Sequence, residues 1–167
     1  WPPYNPDMPG RRDYGCEAAN PVMAKGLTQV TMGSPQNVYV GGLCRAQVRY
    51  FDPDRGRPGL PPNVAALVDD LRPDATGIRL VNLNRNKTRN LIVQAGAFGE
   101  HRFTEVRYQE GDGAGDRIAS VDGKYFAVEL PPSTSVRIEA GMQRFANDPT
   151  YAFPWHGYKI PVPFQQV

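Results

Sequence analysis

The chain has 167 residues, enough for one domain with a single core, so neither a disulfide framework nor a structural metal is obligatory for folding. Its 19 basic and 17 acidic residues leave a net charge of +2, without the basic excess that phosphate neutralisation requires, which argues against a nucleic-acid partner. Seventeen glycines and seventeen prolines leave room for few long helices, and no apolar run is long enough for a membrane span or a signal-peptide core.

The sequence opens at Trp1 rather than methionine, which reads as a processed chain or a piece cut from a larger one. Residues 1–20, rich in proline and without an apolar period, are expected to run as an extended N-terminal arm. Cys16 and Cys44 have no CxxC pair and only two histidines in the chain to join them, which removes the usual zinc patterns. Either they form a disulfide in an oxidising compartment, contributing about 3–4 kcal/mol, or they are two independent buried thiols. The first alternative is the case for an extracytoplasmic location.

Strands are predicted over Gly26–Met32, Asn37–Val40 and Leu43–Phe51, separated by Ser34-Pro35 and Gly41-Gly42. After the rigid loop DPDRGRPGLPP, the run NVAALVDDL places Val64, Leu67, Val68 and Leu71 at helical spacing behind Asn63, predicting one short helix that Pro73 ends. Thr76–Asn84 and Thr88–Gly96 read as a hairpin around Arg85-Asn86-Lys87. Strands at His101–Gln109, Tyr125–Leu130 and Val136–Met142 follow, the last alternating apolar and charged residues. Eight or so short strands with one helix predict an all-β fold, an antiparallel β-sandwich or jelly roll spanning 21–146 with extended proline-rich arms at both termini. The second arm, 147–167, is aromatic and proline-rich.

The strand TGIRLVNLN, the strand ending in QAGAFG, and the closing pair joined by LPPST resemble the C-terminal β-sandwich modules that follow catalytic domains in many glycoside hydrolases. The likeness runs from Thr76 to Phe145. It implies an accessory module in a saccharide-related setting, with the catalytic carboxylates in a different domain, so it carries no catalytic residue onto this chain.

Several constellations bear on chemistry. Glu100, His101 and Glu105 lack the further histidines of a cupin metal set, since position 103 is Phe103 and the other histidine is His156. Glu100 and Glu105 as an acid–base pair are disfavoured by parity, because residues five apart on one strand face opposite ways. Ser133 and Ser135 lie in a turn with no G-x-S-x-G. Glu110, Asp112 and Asp116 form an oxygen-rich loop suited to calcium but without EF-hand spacing, and an exposed hairpin turn is the simpler reading. No cofactor is expected. Tyr151, Phe153, Trp155 and Tyr158, with Trp1 and Tyr4, are the contact candidates, either packing on protein with Trp155 largely buried or stacking on sugar. The leading expectation is therefore a non-catalytic assembly module that docks through its arms on a neighbouring domain or subunit. A carbohydrate-binding module using exposed aromatics is the alternative, with polysaccharide as partner.

Overall fold

The computed structural model describes residues 25–34, 46–110 and 116–156. One helix, α1 (Lys25–Met32), precedes nine strands: β1 (Val48–Asp52), β2 (Arg57–Pro58), β3 (Val64–Leu71), β4 (Ala75–Asn82), β5 (Arg89–Ala95), β6 (Arg102–Glu110), β7 (Arg117–Gly123), β8 (Tyr125–Leu130) and β9 (Ser135–Gln143). They form two antiparallel sheets, a four-stranded one in the order β2-β1-β5-β8 and a five-stranded one in the order β3-β4-β9-β6-β7. Between the sheets lies the core: Val48, Tyr50, Leu91, Val93 and Leu130 from the first meet Ile78, Leu80, Phe103, Val106, Val136, Ile138 and Met142 from the second. The expected all-β sandwich is the observed architecture.

The helix is elsewhere than expected. Residues Val64–Leu71 form an edge strand, with Val64 buried, Ala66 and Val68 packed on the core, and Leu67 and Leu71 facing out at 42% and 53% exposure. The leucines that completed the helical stripe are thus its solvent side, and the inward set follows a period of two until a bulge between Val68 and Asp70. Asn63, expected as a helix cap, sits at φ 63° and turns the chain into the strand. Conversely, the predicted strand Gly26–Met32 is helical. Gly33 at φ 64° ends it in the left-handed conformation common after a helix, and Met32 packs on the core beside β3. Tyr50 Oη donates to Thr31 O at 2.7 Å and Gln47 N to Met32 O at 2.9 Å, fastening the helix end to the sheet.

A second difference concerns connectivity. β4 and β5 are not a hairpin: they belong to different sheets, and residues 83–88 carry the chain across the sandwich. Strand β7, absent from the sequence-based reading, pairs with β6 at the rim of the larger sheet, where its residues are mostly exposed and carry little apolar signal. The expected strand at Asn37–Val40 lies outside the described residues, as does the expected arm 1–20.

The motifs that stood out in the sequence mark these crossings. Asn82 of the NLN run is fully buried, and its Nδ2 faces Lys87 O, Leu130 O and Pro131 O at 2.8–3.0 Å while its Oδ1 accepts from Asn84 N at 2.9 Å. Asn84 Oδ1 in turn accepts from the backbone of Asn86 and Lys87, closing the β4–β5 crossover. The LPPST run is the β8–β9 crossover, held to the same asparagines by Asn82 N to Thr134 O and Ser133 N to Asn84 O. QAGAFG is the β5–β6 corner. There Gln94 Nε2 donates to Gly96 O and Ala97 O, the Glu100 carboxylate accepts from Ala97 N and Phe98 N, and Gly96 and Gly99 adopt φ of 87° and 68°. A side chain at Gly96 would collide with that carboxylate.

Candidate functional site

The described part of the C-terminal segment does not trail into solvent. It leaves β9 at Arg144, whose guanidinium donates to Pro73 O and Arg72 O, and then runs over the outer face of the smaller sheet. Asn147 N donates to Glu100 O, Asn147 Nδ2 to His101 O and Thr150 N to Phe98 O, so the arm is anchored on the β5–β6 corner. Tyr151 then meets Phe98 edge-on at 5.3 Å.

Beyond that point the segment covers Phe51. Val48 and Tyr50 of β1 point into the core, so Phe51 points away from it, yet it is fully buried. Phe153 and Trp155 bury it, with ring centroids 5.7 and 5.8 Å from the Phe51 ring at interplanar angles of 58° and 88°. A single 3₁₀ turn, Pro154–His156, brings Trp155 and His156 round onto Phe153, and Arg49 lies over Phe51 at 5.1 Å and Phe153 at 5.8 Å. Trp155 itself remains 38% exposed, so the expectation that it is largely buried fails: it packs on Phe51 and leaves part of its indole in solvent. Tyr151 is 68% exposed. Tyr158, Trp1 and Tyr4 lie outside the described residues.

On the opposite side, between the free edges of β7 and β8, the sheets part to leave an apolar cleft of about 650 Å³. Val106, Tyr108, Phe126, Val128, Val136 and Ile138 line it, with Glu129 and Thr134 among the polar residues there. The outer face of the larger sheet is instead a lattice of ion pairs: Arg79 to Asp69 at 2.7 Å, Arg72 to Glu139 at 2.7 Å and Arg107 to Glu105 at 2.9 Å. The Glu139 hydrogen bond raises the Arg72 guanidinium further above its already high range.

The carboxylates Glu100 and Glu105 and the histidine His101 have structural partners. Glu100 is not on a strand but in the β5–β6 corner, so strand alternation does not set its direction; its burial and its two backbone donors account for it. Glu105 is half-buried on β6, paired with Arg107. His101, buried, accepts from Phe145 N at Nδ1 (3.0 Å), and its ring meets Phe145 edge-on at 4.8 Å. Asp116 is exposed and hydrogen-bonded to Gln109; Asp112 and the Glu110 side chain lie outside the described residues, as do Cys16 and Cys44. Among the described residues no three His, Cys, Asp or Glu side chains gather in a metal-binding group, and no helix is long and apolar enough to cross a membrane.

No family model and no curated protein matches the chain. Among solved structures, similarity is found to a glycoside hydrolase family 44 endoglucanase produced by Clostridium acetobutylium ATCC 824, at 15% identity and TM-score 0.36. A family 44 xyloglucanase of Paenibacillus polymyxa matches at 14% identity and TM-score 0.35. Each alignment covers 47% of this chain and 17% of the other, so the likeness spans under half of this protein and a small part of theirs.

Proposed function

We propose that this chain is a non-catalytic β-sandwich module serving the assembly of a larger extracytoplasmic protein or complex, docking through its terminal arms. The observation that carries the reading is the ring geometry on β1. A sugar-stacking site needs flat, coplanar, open rings, whereas Phe51, Phe153 and Trp155 are inclined to one another by 58–88° and close over a buried phenylalanine. That is the packing of a seam between protein surfaces, and the exposed edges of Trp155 and Tyr151 leave an aromatic border of the kind that interfaces use. The non-catalytic part of the reading is supported by Glu100, His101 and Glu105, each engaged with backbone or arginine. Glycan contact by Tyr151 and Trp155 is the second reading, favoured by their exposure alone.

Removal of residues 147–167 tests the two. Re-exposing Phe51 costs roughly 1.5–3 kcal/mol, a drop of about 5–10 °C in Tm for a chain of this size. The assembly reading expects that drop, together with loss of self-association or of attachment to the rest of the parent protein. Unchanged Tm and mass, with loss of binding to an insoluble polysaccharide, would overturn it in favour of the carbohydrate module.

A further inference from the structure

A strand at the end of a sheet presents a row of N–H and C=O groups open to pairing, and soluble proteins blunt such edges with bulges, charges, prolines or shortness. Among the described residues the two sheets end in four edge strands, and three of them are blunted. β2 is two residues long and ends in Pro58; β3 has its bulge and the acidic pair Asp69 and Asp70; β7 loses register with β6 between Phe103 and Glu105 and holds Asp122 at φ 46°. β8 has none of these devices. It runs for six residues without a bulge or a proline, and Glu129 is its one charge.

The register fixes which of its backbone groups are open. Ala95 N donates to Lys124 O at 2.9 Å, so in the β5–β8 ladder the hydrogen-bonded pairs are Ala95 with Lys124, Val93 with Phe126 and Leu91 with Val128. Phe126 and Val128 therefore direct N–H and C=O to β5, while Tyr125, Ala127 and Glu129 direct theirs to the open side. Side chains obey the same alternation. Ala127 stands beside Ile92, which stands beside Phe51 on the outer face, so Tyr125, Ala127 and Glu129 share that face and Phe126 and Val128 line the apolar cleft. The cleft borders every residue from Phe126 to Leu130 but, of β7, only Ala119 and Val121, so it is the β8 backbone that opens onto it.

We propose that this edge pairs with β8 of a second copy of the chain, antiparallel about a two-fold axis at Ala127, so that the two smaller sheets become one continuous sheet. The run YFAVEL is self-complementary in that register. Ala127 meets the partner's Ala127, and Tyr125 meets the partner's Glu129, each pair exchanging both backbone bonds through the groups that face the open side. On the outer face the Tyr125 hydroxyl gains a carboxylate acceptor in a place where the Arg49 charge already reaches it. On the inner face Phe126 lies opposite the partner's Val128, so each copy closes the other's cleft with apolar surface. Sliding the axis to Glu129 would set two carboxylates against each other, which selects the Ala127 register. A foreign strand has no such match built into this sequence. The contact is separate from the aromatic seam on Phe51 and does not depend on arm docking.

The test follows the mass of the full chain by sedimentation, and its amide exchange, between about 10 μM and about 1 mM. At the upper end the particle should hold two chains, and the Tyr125, Ala127 and Glu129 amides should exchange at least about tenfold more slowly than at the lower end, while Phe126 and Val128 stay protected throughout. Ala127→Pro removes only an N–H that faces the open side, so it keeps the β5 ladder and should weaken pairing by at least about tenfold. Should that variant not fold, Ala127→Lys, which sets two ammonium groups at the axis on an exposed position, should do the same. Ile118→Lys, exposed on β7, should leave the mass unchanged. A single chain at about 1 mM overturns the proposal. So does protection of the Tyr125, Ala127 and Glu129 amides at every concentration, since another segment of the same chain would then cover the edge. A two-chain particle that survives the Ala127 variants, or is lost in Ile118→Lys, overturns it as well.

Discussion

Asn82→Ala is the sharpest test of how the sandwich is held together. The side chain is fully buried and ties two sheet crossings at once: its amide serves Lys87 O, Leu130 O and Pro131 O, and its oxygen accepts from Asn84 N. Two amide protons and one acceptor make about three net hydrogen bonds, worth roughly 1 kcal/mol each, and stranding buried carbonyl oxygen at Leu130 adds about 1–2 kcal/mol more. The expected loss is therefore roughly 3–5 kcal/mol. Urea denaturation should show it as a midpoint lowered by about 2 M at unchanged slope, and a thermal melt as a fall of about 10 °C. Asn84→Ala, which removes one side-chain oxygen that accepts two exposed turn bonds, should cost about 1 kcal/mol. A loss below about 1 kcal/mol for Asn82→Ala, or a larger one for Asn84→Ala, would refute the claim that Asn82 clamps both crossovers.

Tyr50 supplies a pH prediction: burial pushes its phenol well above the ordinary range, and its hydroxyl donates to Thr31 O. The neutral form is thus the one the fold favours, so this contribution is complete below the ordinary phenol pKa of about 10 and is lost as pH rises above it. Tyr50→Phe should flatten the alkaline fall in stability measured by urea titration. For the cysteines, no free thiol should appear when the unreduced, denatured chain is titrated with a thiol reagent; two thiols would remove the disulfide and most of the case for an oxidising compartment.

What the sequence made legible was the period-two signal where one face is buried and the other wet. β9 reads correctly because Val136, Ile138 and Ala140 alternate with Arg137 and Glu139. NVAALVDDL satisfies two periods at once, and position at a sheet edge, which allows Leu67 and Leu71 to stay exposed, decided between them. For GLTQVTM the β-branched residues pointed to a strand, and packing of Met32 beside β3 prevailed over that local preference. The aromatic segment was correctly picked out as unusual, but its chief partner, Phe51, lies about a hundred residues earlier on a strand that gives no sign of which face is covered. The hydrogen bond from Phe145 N to His101 was invisible for a related reason: backbone φ and a long-range bond to a ring nitrogen leave no periodic trace.

The position of β9 bears on how the chain reaches its fold. This strand lies between β4 and β6 at the middle of the larger sheet, pairing Ala75 with Gly141 and Val81 with Ser135. Its partner β4 is therefore made more than fifty residues before the strand that completes its pairing. During synthesis the first half of the chain has only the edge strand β3 to pair with β4, and the central ladder closes when β9 leaves the ribosome. Contacts this distant in sequence carry a large loop-closure entropy and fold slowly, in milliseconds to seconds. A ribosome-bound fragment ending before Ser135 would thus present an unpaired hydrogen-bonding edge of β4, open to pairing with other strands until β9 is made.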